Sequence, residues 1–80
     1  MTPIQKQVIK KLLELSYDNG FHSFHLSTLS DLPVKSLYDK NTETGELYEI
    51  SQFGKGFIDI HNNSATINFH LKDQLERWSK

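Results

Sequence analysis

Four histidines and no cysteine are the residues with which this chain could hold a metal. His22 and His25 are three apart, a spacing that would share one helical face. Their setting, Phe21-His22-Ser23-Phe24-His25, reads as extended, and residues three apart on a strand point to opposite sides. His61 and His70 fall on adjacent strands but several residues apart in the expected register. A structural zinc site needs a full tetrahedral set of converging ligands, so no metal or other cofactor is expected. Serine–histidine pairs are numerous, but no spacing singles out a nucleophile held by its base. Glu49 opposite His61 across a strand pair reads as a surface contact before a general acid–base pair. Gly54-Lys55-Gly56 lacks the Walker spacing and a following helix, so it is no phosphate cradle.

Size argues the same way. A chain of 80 residues buries only about 60% of the surface its unfolded form exposes, leaving little room for an enclosed substrate pocket. The expectation is a non-enzymatic single domain over residues 1–80, with 36% hydrophobic and 24% charged residues. Without cysteine there is no disulfide, and no apolar stretch is long enough to span a membrane. Lys10 and Lys11 interrupt the first hydrophobic run, so it does not read as a secretory leader, and a cytoplasmic location is expected. On that basis Asn62-Asn63-Ser64 is a turn rather than a glycosylation site. The net charge is −1, whereas a nucleic-acid-binding domain is usually visibly basic.

The elements that must position any site follow from periodicity. Ile4, Val8, Ile9, Leu12, Leu13, Leu15 and Tyr17 occupy one broad side of a 3.6-residue repeat, opposite Lys6, Gln7, Lys10, Lys11 and Glu14. With Thr2 as cap, Pro3 in the first turn and Asn19-Gly20 as a left-handed exit, the pattern predicts a helix over 3–18. A short extended run at 21–25 precedes a short helix at about 27–32, where Leu26, Leu29 and Leu32 recur every three residues.

Residues 33–44 fit two patterns. As a helix, Pro33 starts it, Val34, Leu37 and Tyr38 face inward, and Gly45 stops it; as a strand, Val34, Ser36 and Tyr38 alternate with Lys35, Leu37 and Asp39. The helix fits slightly better. Leu47–Phe53 and Phe57–His61 read as strands around a Gly54-Lys55-Gly56 hairpin loop, with Phe53 opposite Phe57 and Ile50 opposite Ile60. A two-residue turn at Asn62-Asn63 then sets Ile60 against Ala65 and Ile58 against Ile67, completing a meander over 46–71. Leu71, Leu75 and Trp78 mark one edge of a short terminal helix. The fold class expected is α+β: an N-terminal amphipathic helix and short helices packed on an antiparallel meander, with a short C-terminal helix.

The order helix, short strand, helix, turn, helix, strand, loop, strand resembles the winged helix-turn-helix superfamily. The resemblance covers about residues 4–61. It rests on the helix Ile4–Asp18, the short strand Phe21–Phe24, the segment Leu26-Ser27-Thr28-Leu29-Ser30-Asp31-Leu32-Pro33, and Gly45-Glu46-Leu47 leading into the hairpin. It implies a duplex-DNA-binding module, a regulator of transcription or of a mobile element. Lys35, Ser36, Asp39 and Lys40 would then lie on the recognition helix and Lys55 at the wing tip. A homodimer would multiply the few phosphate contacts one small domain can make.

A protein partner is the alternative. Phe53 and Phe57, joined by Leu47, fall on the sheet face opposite the isoleucines, and apolar residues on both faces leave either a covered face or an adhesive one. Aromatic anchors dominate protein interfaces. A protein partner also tolerates Asp39 and Glu43, whose charge opposes phosphate.

Overall fold

Thr2 starts the first helix by a reciprocal capping box. Its hydroxyl accepts from the Gln5 N–H at 3.2 Å, and Gln5 Oε1 accepts from the Thr2 N–H at 3.1 Å. In the computed structural model, which describes residues 1–80, this helix (α1) runs Pro3–Asn19 and ends on Gly20, whose φ of 76° places it in the left-handed region. Val8, Ile9, Leu12 and Leu13 enter the core as the periodicity requires. Tyr17 does not: it stays exposed and its hydroxyl donates to the Glu76 carboxylate.

A short strand follows (β1, Ser23–His25), then a 3-10 turn over Leu26–Leu29 where a helix over 27–32 is expected. Thr28 Oγ1 bonds back to the His25 carbonyl at 2.7 Å and His25 Nδ1 accepts from the Ser27 N–H at 3.1 Å. These local side-chain bonds compete with helix propagation. Leu29 is buried.

Residues 33–44 form neither of the two expected elements. Asp39 and Thr44 face each other in an isolated antiparallel bridge, and Asp39 Oδ1 accepts from the N–H groups of Asn41 (2.9 Å) and Thr42 (3.3 Å). That turn puts Glu43 at φ 54°. The Asp, Asn and Thr residues here gain more from local side-chain bonds than from a helix they stabilise poorly.

The segment expected as the first strand of the meander is instead a helix (α2, Glu46–Phe53). Its entry is fixed by Gly45, at φ 117°, where a Cβ would lie 2.5 Å from the Leu37 carbonyl oxygen. The close approach lets Glu46 and Leu47 donate to the carbonyls of Ser36 (3.1 Å) and Leu37 (2.8 Å). Glu46 and Glu49 lie in the first turn, where they complement the helix dipole. Leu47 and Ile50, three apart, face inward together, so the Leu47–Phe53 strand and its hairpin with 57–61 do not exist. Gln5 locks α2 to α1 by donating from Nε2 to Glu49 at 2.6 Å, and Glu49 therefore does not face His61 across a sheet.

The second hairpin matches the sequence reading. Strands β2 (Ile58–His61) and β3 (Ser64–Ile67) join through Asn62-Asn63, with φ values of 49° and 60°. Ile58 pairs with Ile67 and Ile60 with Ala65. β1 pairs on the other side of β3, so the sheet order is β1-β3-β2. A 3-10 turn at Phe69–Leu71 leads into α3 (Lys72–Trp78), which buries Leu75 against α1. One core of twelve buried side chains draws on α1, all three strands, the 3-10 turn at Leu26–Leu29, α2 and α3. No helix is long and apolar enough to cross a membrane.

A candidate partner-binding surface

The outer end of α2 and the start of β2 bring three aromatic side chains together. The Phe53 ring stands edge-on to Trp78 at 5.1 Å between centroids, and Phe57 packs against the same indole at 4.5 Å. Phe53 ends α2, Phe57 precedes β2 and Trp78 ends α3, so the patch is assembled by tertiary packing. Gly54 makes it possible: a Cβ there would sit 2.5 Å from Trp78 Cη2 and 2.9 Å from Phe57 Cδ2. Phe53 remains 62% exposed while Phe57 and Trp78 are half-buried. The predicted pairing of Phe53 with Phe57 across a hairpin is thus replaced by their meeting on Trp78. Leu47, expected beside them, is 0% exposed and lies on the inner face of α2.

Next to this patch an open groove of about 360 Å³ runs between α2 and β2. Tyr38, Tyr48, Gln52, Lys55, Ile58 and Asp59 lie along it. A second, separate depression of about 320 Å³ is lined by Lys40, His61 and the Asn62-Asn63 turn, with Tyr38 and Ile60 common to both. The Tyr38 and Tyr48 rings lie 6.3 Å apart at a 30° tilt. Tyr48 donates to Glu43 at 3.4 Å, and partial burial, together with the Glu43 charge, raises its phenol above the ordinary value.

The residues expected to contact DNA are not presented by one helix. Lys35, Ser36, Asp39 and Lys40 are all exposed, but on the irregular segment before α2. Asp39 is engaged in its own turn, and the Ser36 carbonyl accepts from Glu46. Lys55 lies in the turn between α2 and β2, not at the tip of a hairpin. Lys55 lines the first depression and Lys40 the second, and the two depressions share only Tyr38 and Ile60. The molecule has two side-chain ion pairs, Lys11–Asp31 and Lys72–Asp73, and neither groove lysine belongs to one.

The histidines are dispersed. His22 stacks on Phe69 at 4.2 Å, His25 caps the 3-10 turn, His61 lines the second depression and His70 belongs to the turn before α3. No three His, Cys, Asp or Glu side chains converge as a metal site would require. Sequence reasoning passed over Tyr38 and Tyr48 as groove walls. Tyr38 acquires that role only from the packing of an irregular segment, which leaves no periodic signal.

No protein-family model matches this chain, and no curated protein or solved structure is detectably similar to it.

Proposed function

We propose that this chain is a non-catalytic protein-binding module that docks a partner on the patch of Phe53, Phe57 and Trp78. One observation carries the reading: the 62%-exposed Phe53 ring is held edge-on against Trp78 beside Phe57. A rigid, exposed aromatic cluster loses little conformational entropy on binding and supplies the anchor type that dominates interface energetics. The test is a photo-crosslinking residue placed at position 53, and separately at the exposed Lys10 of α1, in cells that express the protein. A discrete protein adduct formed from position 53 and not from position 10 supports the patch. Equal labelling from both positions refutes it.

Duplex DNA binding is the second reading, favoured by the order of elements. Helix, strand, 3-10 turn, helix, strand, turn and strand follow one another, with α2 in the place of the third helix. On that reading α2, not Lys35, Ser36, Asp39 and Lys40, would approach the duplex. Its first turn carries Glu46 and Glu49, which oppose phosphate, and phosphate contacts supply most non-specific affinity. Amide spectra recorded with random duplex DNA at low salt separate the two readings. The protein-binding reading expects no salt-sensitive change at α2, Lys40 or Lys55.

A further inference from the structure

Five asparagines occur in the chain, and Asn19 alone precedes a glycine. Asn41, Asn62, Asn63 and Asn68 precede Thr42, Asn63, Ser64 and Phe69, whose side chains shield the next backbone nitrogen. That shielding matters because asparagine reacts with its own chain through this nitrogen. The nitrogen attacks the side-chain Cγ and closes a five-membered succinimide. The Cγ–Nδ2 bond breaks, and ammonia leaves with the proton of the attacking N–H. Water then opens the ring to aspartate or to isoaspartate. Glycine, without a Cβ, obstructs the attack least. Nothing lies within 4 Å of the point a Cβ at Gly20 would occupy, so no other part of the molecule blocks the approach.

The closed end of α1 opposes this reaction. The Gly20 N–H donates to the Ser16 carbonyl and Asn19 Nδ2 donates to the Leu15 carbonyl, both at 2.9 Å. The attacking nitrogen is committed to one carbonyl and the leaving amide to another, so ring closure requires both bonds to break. Little else holds this turn. It contains no basic residue, and Asp18 sits at the negative end of the helix dipole. Ser16 is the one buried residue among residues 16–19, and its hydroxyl has no hydrogen-bond partner. Tyr17 supplies the tertiary tie: its ring meets Phe69 at 5.4 Å and its hydroxyl donates to Glu76. Helix ends of this kind open locally at far lower cost than the whole fold.

We propose that Asn19-Gly20 is a site of spontaneous deamidation, timed by opening of the last turn of α1. The product reinforces the opening. An aspartate at position 19 sets a second carboxylate beside Asp18 at the negative helix end, and it exchanges the Nδ2 donor for an oxygen that repels the Leu15 carbonyl. Isoaspartate adds a methylene to the main chain immediately before the Gly20 cap. Either way the modification is one-way and weakens the turn that delayed it. The inference does not depend on what the aromatic patch binds.

The experiment incubates the full chain in mildly alkaline buffer and digests samples with trypsin. Cleavage after Lys11 and Lys35 releases residues 12–35, in which Asn19 is the sole asparagine. Its mass gain follows the reaction, and electron-transfer fragmentation separates aspartate from isoaspartate. A synthetic peptide of residues 12–35 gives the rate without the fold. Asn19 should convert before every other asparagine, about tenfold or more slowly than in the peptide. Urea below the unfolding transition should barely change the rate, because fraying one turn exposes little surface. Tyr17→Phe should accelerate conversion about threefold by removing the bond to Glu76. Asp18→Lys should slow it about twofold or more by favouring the helix end. Both are read against peptides carrying the same change. A folded rate equal to the peptide rate overturns the gate, as does a rate that follows urea with the full slope of global unfolding. Conversion of another asparagine ahead of Asn19, or none at Asn19 after about a hundred half-lives of the peptide, overturns the site.

Discussion

Replacing Gly54 with alanine tests whether the aromatic patch is built as described. Gly54 has φ −138° and ψ 97°, a conformation any residue adopts, so the backbone bears no strain from the change. Alanine also restricts the unfolded chain, which by itself stabilises by about 0.4–1 kcal/mol. Against that gain, the new Cβ would fall 2.5 Å from Trp78 Cη2 and 2.9 Å from Phe57 Cδ2. The indole can yield only by moving off its two aromatic neighbours. Each such pair is worth about 0.5–1.5 kcal/mol beyond the area it buries. The contacts at risk therefore total roughly 1–3 kcal/mol, and the net loss expected is roughly 0.5–2 kcal/mol. Urea denaturation followed by far-ultraviolet circular dichroism measures the loss. Trp78 is the single tryptophan, so its emission reports the displacement directly. Gly56→Ala is the matched control: nothing lies within 4 Å of its Cβ, but its φ of 87° penalises alanine. It should lower stability with the Trp78 emission unchanged. A Gly54→Ala protein as stable as wild type, with unaltered emission, would refute the packing argument.

The two residues on opposite sides of α2 should differ in what their loss costs. Leu47→Ala, at a fully buried position, should cost about 2–5 kcal/mol in the same denaturation assay, whereas Phe53→Ser, which loses one edge-on aromatic contact, should cost about 0.5–1.5 kcal/mol; a Phe53→Ser loss as large as that of Leu47→Ala would contradict the helical placement of this segment. The tyrosines give a pH prediction. The Tyr17 phenol is raised above 10.0 chiefly by its hydrogen bond to Glu76, and that of Tyr48 by partial burial and then by Glu43. A phenol whose folded pKa is raised contributes stability that is complete below pH 10 and is lost as pH climbs through the folded value. Absorbance titration should show Tyr17 and Tyr48 ionising late, with Glu76→Gln advancing Tyr17 and Glu43→Gln advancing Tyr48.

Local chemistry made part of this fold legible. The Thr2 cap, the α1 stripe, the Gly20 exit and the Asn62-Asn63 turn each act within a few residues, and the turn alone sets the β2–β3 register. The segment 46–53 misled because Tyr48 and Ile50 satisfy an alternating pattern while Leu47 and Ile50 satisfy a helical one. In an element of eight residues both periods survive. Glu46 and Glu49, placed to complement a helix N-terminus, were the available signal. The candidate surface was less legible for a different reason. Phe53 and Phe57 were recognised as aromatic anchors, but their meeting point is Trp78, more than twenty residues further on, and α3 reaches them only after docking on α1. Lys40 and Lys55 fit a phosphate-binding pattern in the sequence, yet each lines a different depression, and both depressions are walled by Tyr38, on a segment whose path is set by turns rather than periodicity.

The strand order has a consequence for synthesis from the N-terminus. Both β1 and β2 pair only with β3, which is the last strand made. Until Ser64–Ile67 emerges from the ribosome there is no sheet of any size, and β1 must wait through some forty residues of chain with its backbone groups served by water. The β2–β3 hairpin can close locally as soon as it is complete, and only then does β1 acquire a template. Translation interrupted before Ser64 would leave helices whose apolar faces have no sheet to cover them, a species for chaperones and proteases rather than a smaller version of this domain.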